Sequence, residues 1–241
     1  MMDSEKEWKA TDNRFIGFFD ILGFKEMVMR QNHIETYKKL KEIKDFITDA
    51  IEGSYSGIKG KGGKIKTIYF EQKPKAVIFS DSILIISESD KPKVAESFIY
   101  HCNLFMKHCI NAQIPIKGAL SYGSFTADFK NSIFFGQPLI DAFLLHEELS
   151  MFGAILDFNI EKKLKELNLS SNFWNRLIKY KTPTKSGAIN YYCINWLHVS
   201  QDKEIINYNP IIEKFYTTAS GKPRAYVDNT ADFIKVGQTN A

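Results

Sequence analysis

Two aspartates stand where apolar runs break. Asp20 closes the run Phe15-Ile16-Gly17-Phe18-Phe19 and is followed by Ile21-Leu22-Gly23-Phe24; Asp81 separates Ala76-Val77-Ile78-Phe79 from Ile83-Leu84-Ile85-Ile86, flanked by Ser80 and Ser82. A strand buried in an apolar interior tolerates a charge only when something pairs with it. Two acids at such strand ends are suited to hold divalent cations, which in turn bind triphosphates through oxygen ligands. Gly23 permits a tight turn that frees backbone N–H groups for phosphate oxygens. The leading reading is an enzyme that handles nucleotides.

Other residue clusters carry less. Gly57 to Ile65 is rich in glycine and lysine, but Gly63-Lys64 has Ile58 where a P-loop needs its first glycine, and no Ser or Thr follows. His101-Cys102 and His108-Cys109 fall on one helical stretch about 10 Å apart along its axis, too far to share a zinc ion, so buried packing is expected of them. Asp141, His146, Glu147 and Glu148 read as a solvated or interfacial helix face.

The elements that must position the acids follow from periodicity. Apolar residues at Ile34, Tyr37, Leu40, Ile43, Ile47 and Ile51 mark an amphipathic helix. Strands are predicted over 64–70 and 75–79, the second leading into a hairpin around Asp81, with a loop over 53–64. A helix over 94–110, a strand over 115–123 and a helix opening at Pro138 and running through Leu149 complete the pattern. This order predicts an α/β (α+β) chain with a ferredoxin-like core, in which the end of the first strand lies beside the hairpin and Asp20 faces Asp81. The core is assigned to residues 1–150 and a C-terminal extension on the same domain to 151–241. There the pattern weakens to helical pieces over 160–167 and 173–178 and a strand over 189–197.

Composition bounds the rest. The chain has 241 residues, 44% hydrophobic and 25% charged, with a net charge of +4. That length supports one sizeable core, and the small net charge does not imply nucleic-acid binding. No run is apolar enough to span a bilayer, residues 1–10 do not read as a signal peptide, and three cysteines are sparse, so a cytoplasmic protein away from membranes is expected.

Phe19-Asp20-Ile21-Leu22-Gly23-Phe24 and Phe79-Ser80-Asp81-Ser82 resemble the two metal-binding segments of class III nucleotidyl cyclases. Residues 115–123 and 135–143 resemble their later strand and interface helix. The combination, with Tyr191 to Leu197, is most similar to the bacterial Pycsar pyrimidine cyclases. The resemblance implies a homodimer with sites at the interface and two Mg²⁺ or Mn²⁺ ions held by Asp20, Asp81 and the Ile21 carbonyl. It also implies a nucleoside triphosphate held by Ile21, Leu22, Gly23 and Phe24, and a cyclic UMP or cyclic CMP product acting on a downstream effector in antiphage defence.

Purine cyclases of this class read the base with a lysine and an aspartate at the positions of Val77 and Ile133, both apolar here. Their transition-state asparagine and arginine fall at Ile140 and Leu144. An apolar wall is compatible with a pyrimidine. Lys117, Lys222 and Arg224 are candidates to contact phosphate. A catalytically inactive nucleotide sensor on the same fold is the alternative, and the missing Gly-Gly-Asp/Glu-Glu-Phe hairpin counts against a diguanylate cyclase.

Overall fold

The computed structural model describes residues 8–52, 72–197 and 207–239. The predicted strand over 64–70 and the loop over 53–64 lie outside the described residues. In chain order the elements are β1 (Thr11–Ile21), α1 (Phe24–Arg30), α2 (His33–Glu52), β2 (Lys75–Phe79), β3 (Ser82–Ile86), α3 (Pro92–Asn111), β4 (Ile116–Asp128), β5 (Ile133–Phe135) and α4 (Gln137–Glu148). Then come β6 (Gly153–Leu156), α5 (Phe158–Glu166), α6 (Ser171–Trp174), β7 (Leu177–Thr184), β8 (Gly187–Ile194), α7 (Asn209–Thr218) and α8 (Lys222–Thr239).

The strands form one mixed sheet in the order β2-β3-β1-β4-β6-β8-β7, with β5 paired to β4 off that path. Strands β1, β3 and β4 pair antiparallel, whereas β4 and β6 run parallel with Lys117 opposite Gly153. The helix over 34–51, the hairpin around Asp81, the helix over 94–110 and the strand from 116 appear at their predicted places, and β1 sits between the hairpin and β4 as a ferredoxin-like core requires.

The continuous apolar run of β1 follows from burial on both faces. On one face Phe15 stacks on Phe98 and Phe19 meets Phe105 edge-on, both rings belonging to α3. On the other, Phe18 packs against Phe143 and His146 of α4, with centroids 5.5 and 4.7 Å away. Gly118 lets β1 and β4 close up: a Cβ there would stand 2.5 Å from the Phe19 ring and 2.6 Å from the Phe18 carbonyl oxygen.

The C-terminal residues differ from expectation. The helical piece predicted over 173–178 is only the short α6; Leu177 and Ile178 instead open β7, which pairs antiparallel with β8. The strand predicted over 115–123 continues to Asp128, and that over 189–197 ends at Ile194. Helices α7 and α8 complete the chain. Trp196, Phe215, Val227 and Phe233 join the apolar cluster that holds Phe15 and Phe19. Phe152 donates its N–H to the Thr230 hydroxyl, and Asn229 donates to the Ser150 carbonyl, fixing α8 beside the start of β6.

Candidate active site

Asp20 lies one residue from the end of β1, in register with Ser82 on β3 and Lys117 on β4. Residues opposite one another in an antiparallel pair share a face, so Asp20, Ser82 and Lys117 project together on the side that α4 covers. Asp81 occupies the β2–β3 turn, and its carbonyl accepts the Ile21 N–H at 3.1 Å. That bond ties the two acidic segments together. Ser80, just before Asp81, adopts a left-handed φ of 57°, a conformation uncommon outside glycine and typical of positions where a turn is held for a purpose.

Electrostatics agree with that proximity. Asp20 is pushed up to about 6, first by burial and then by the nearby Asp81 charge, with Lys117 offsetting part of the rise and Glu147 adding to it. Among the described residues no ion pair joins either carboxylate. Two close acids without a paired cation fit a divalent metal, whose charge would relieve their repulsion. No group of three His, Cys, Asp or Glu converges among the described residues, so further oxygen ligands would have to come from backbone or substrate.

The turn after β1 divides its work. The Ile21 N–H goes to Asp81 and the Leu22 N–H donates to the Pro115 carbonyl at 2.8 Å, so neither amide is free for a phosphate oxygen. This corrects the expectation that both N–H groups line a phosphate cradle. Gly23, at a φ of 76°, caps α1, which leaves Gly23 and Phe24 as the part of the turn that could meet a phosphate.

Lys117 is 4% exposed. Burial lowers its pKa, Glu147 opposes that, Lys185 reinforces it, and Asp20 and Glu148 oppose it. Its ammonium lies 6.0 Å from the Tyr226 ring centroid, so α8 reaches the acid end of the sheet. Lys222 and Arg224 are exposed on the first turn of α8, and Arg224 lies over the Tyr216 ring at 4.9 Å.

Val77 packs against the apolar cluster of Ile16, Leu84, Ile86, Phe125 and Ala127. Ile133, opposite Asp128 on β5, is about half exposed and projects to the other side of β5 from Phe134. Ile140 and Leu144 are exposed on α4. The paired His-Cys segments lie on α3, and the thiols of Cys102 and Cys109 are buried and free, as packing requires.

Two charged residues that the sequence does not assign to the site, Glu147 and Lys185, act on Lys117. Glu147, on the face of α4 expected to be solvated or interfacial, stands 3.4 Å from Lys185. Lys185 arrives on the β7–β8 turn, which docks onto the end of α4: its N–H donates to the Glu148 carbonyl at 2.8 Å, and the Ser186 hydroxyl donates to the Glu148 carboxylate at 2.7 Å. The Lys185-Ser186-Gly187 run carries a turn signal in its glycine, but nothing local gives its docking partner.

No protein-family model matches the chain, and no curated protein matches it by sequence. Solved structures do match. A bacterial light-regulated adenylyl cyclase aligns with a TM-score of 0.51 and 13% identity over 88% of this chain and 100% of that one. The guanylyl cyclase Cya2 aligns with a TM-score of 0.50 and 10% identity over 83% of this chain and 98% of that one. The chain therefore has the nucleotidyl cyclase fold.

Proposed function

We propose that this chain is a nucleotidyl cyclase that converts a pyrimidine nucleoside triphosphate, UTP or CTP, to its 3′,5′-cyclic nucleotide and pyrophosphate. The observation that carries the reading is the close, unneutralised pair Asp20 and Asp81 at the strand end of a cyclase fold. Those carboxylates, with the Ile21 carbonyl, would hold two Mg²⁺ or Mn²⁺ ions. The ions supply activation of the ribose 3′-hydroxyl and neutralisation of the triphosphate. Gly23 and Phe24 orient phosphate oxygens at the mouth of the turn. Lys117, buried beside Asp20, and Lys185, delivered by the β7–β8 turn, supply fixed positive charge for the transferring and leaving phosphates.

The base argument rests on Val77. Its apolar surroundings offer a purine edge no hydrogen-bond partner, at a cost of about 1–3 kcal/mol for each unmet bond. A homodimer is expected, because Ile133, Phe135, Ile140, Phe143 and Leu144 leave an exposed apolar surface running from β5 onto α4. The resemblance to the Pycsar cyclases supports a signalling role in antiphage defence through an effector of the cyclic product, inside the cytoplasm. No helix among the described residues is long and apolar enough to cross a membrane.

A second reading, a catalytically silent nucleotide sensor, is favoured by the apolar Ile140 and Leu144 on α4. One experiment separates them: incubation with each of the four NTPs and Mn²⁺, with products identified by mass spectrometry. A cyclic pyrimidine product is expected. Dominant cyclic AMP or cyclic GMP would overturn the base assignment, and NTP binding without any product would establish the sensor.

A further inference from the structure

The end of α4 carries an electrostatic oddity. Glu147 and Glu148 are its last two residues, where the helix dipole disfavours negative charge. Glu148 is tied down by the Ser186 hydroxyl and the Lys185 N–H. Glu147 is not: its side chain is 50% exposed, and the Lys185 ammonium is a loose 3.4 Å away. The other neighbour at 3.4 Å is His146 Nε2. That ring is buried and donates its Nδ1–H to the Phe143 carbonyl, so in the neutral ring Nε2 turns a lone pair toward the carboxylate and does not hold it. Burial keeps His146 neutral, at about 4. Glu147 is also the principal attractive charge on Lys117, and it acts on Asp20 as well.

One half-exposed carboxylate thus meets Lys185 and stands within electrostatic range of Lys117 and Asp20. No three acids converge on one ion position among the described residues, which separates Glu147 from the metal set.

We infer that Glu147 is a built-in stand-in for the substrate's polyphosphate: it neutralises Lys117 and Lys185 in the empty enzyme, and an incoming triphosphate displaces it into solvent. The inference rests on the cyclase reading and deepens it. Glu147 is a positioning residue that sets how much anionic charge a ligand must bring before the site accepts it. A triphosphate, with several negative oxygens, outcompetes one carboxylate; a monophosphate gains little from the exchange. The swing requires no backbone change, because the side chain is already half in water.

The test uses inorganic tripolyphosphate as probe, in the presence of Mg²⁺, with binding measured by calorimetry on the full chain. Glu147→Gln is expected to tighten tripolyphosphate binding about tenfold, since it removes one competing charge at close range. Adding Lys185→Gln to Glu147→Gln should reverse that gain. In turnover assays Glu147→Gln should lower KM for the triphosphate with little change in kcat. Unchanged or weaker tripolyphosphate binding by Glu147→Gln overturns the inference, as does undetectable binding by both proteins. A chain that binds the probe as expected yet makes no cyclic product overturns the cyclase reading alone.

Discussion

Strand β4 serves two charged clusters, one on each face, and they are built on opposite principles. On the α3 side Tyr122 donates its hydroxyl to Asp90 at 2.8 Å, Lys163 donates to the same carboxylate at 2.6 Å, and the Lys163 ammonium lies over the Tyr122 ring. Burial alone would push Asp90 up, but the bonds from Lys163 and Tyr122 outweigh it and leave the carboxyl below its ordinary range. Charge, donors and acceptors match within the cluster. On the α4 side Asp20 and Asp81 repel one another, Lys117 is buried among charges of both signs, and Glu147 is loosely placed. The first cluster joins the β3–α3 connection, β4 and α5 and has nothing left to bind. The second leaves its charges unmatched, which is what the proposed cations and polyanion would complete. Perturbed groups at a strand end without internal compensation are the mark of a site; a compensated network is the mark of a joint.

The contrast breaks most decisively at the two acids proposed to hold metal. Asp20→Ala or Asp81→Ala should lower cyclase turnover at least about a hundredfold, the scale on which single charge-stabilising groups act. Far-UV circular dichroism and the melting temperature should show the fold intact, because each change removes a repulsion. Full activity in either well-folded variant would end the two-metal assignment. A smaller effect is expected one step outward, where the apolar end of α4 is proposed to meet a second copy. Leu144→Asp should weaken self-association by about 2 kcal/mol, roughly thirtyfold in the dimer constant, with activity falling as the dimer dissociates. Light scattering at micromolar concentration checks it. A monomeric wild-type chain with activity retained would remove the dimer from the account.

On the compensated side the expected loss is in stability. Asp90→Ala leaves the Lys163 ammonium and the Tyr122 hydroxyl without their shared acceptor in a half-buried place, which should cost about 1–3 kcal/mol. Turnover should be unaffected, since nothing in that cluster faces the acids. Urea melts followed by fluorescence would detect the loss. If Asp90→Ala abolished activity while leaving stability unchanged, the division between joint and site would be drawn in the wrong place.

The same contrast explains how much could be read from the sequence. Asp20 and Asp81 were legible because a charge inside an apolar strand pattern is locally anomalous, and the hairpin and helices around them follow simple periods. Their charged surroundings were not legible, because Lys185 and Glu147 meet only through the docking of the β7–β8 turn on α4, a contact that no local pattern encodes. Helix α8 was missed for another reason: Val227, Thr230 and Ile234 form its buried stripe, and a fully buried threonine in the middle interrupts the apolar signal. Strand β7 hides likewise, with Thr182 fully buried just after Lys179 and Lys181, which face solvent. The fate of Ile21 and Leu22 also lay beyond local reading, since their N–H groups are consumed by Asp81 and Pro115 from other elements.

The smallest effect sharpens the comparison through pH. The Asp20 carboxyl, held at about 6 by burial and by Asp81, binds a proton more tightly folded than unfolded, where its ordinary value of 3.8 applies. Its contribution to the metal-free protein is therefore fully favourable below about 3.8 and is lost as pH rises through about 6. Above that, the folded state carries an unrelieved buried charge. A rise of that size corresponds to about 3 kcal/mol, which for a carboxyl this accessible to solvent should be discounted to ~1–2 kcal/mol. Asp20→Asn removes the titrating group and should stabilise the chelated protein by that amount at pH 7. His101 and His146, both held near 4 by burial, act in the opposite sense: their contributions are present above 6.5 and lost as pH falls. The raw melting profile mixes these trends, but both histidines remain in Asp20→Asn. The difference between the wild-type and Asp20→Asn profiles isolates the carboxyl: near zero at about pH 4, opening between about 4 and 6, constant above about 7. With Mn²⁺ present the ion relieves the repulsion in the wild type alone, and the gap at pH 7 should narrow or reverse. A difference that is flat across this range would mean that Asp20 is not strained by Asp81, and the α4 side of β4 would then be a joint like its neighbour.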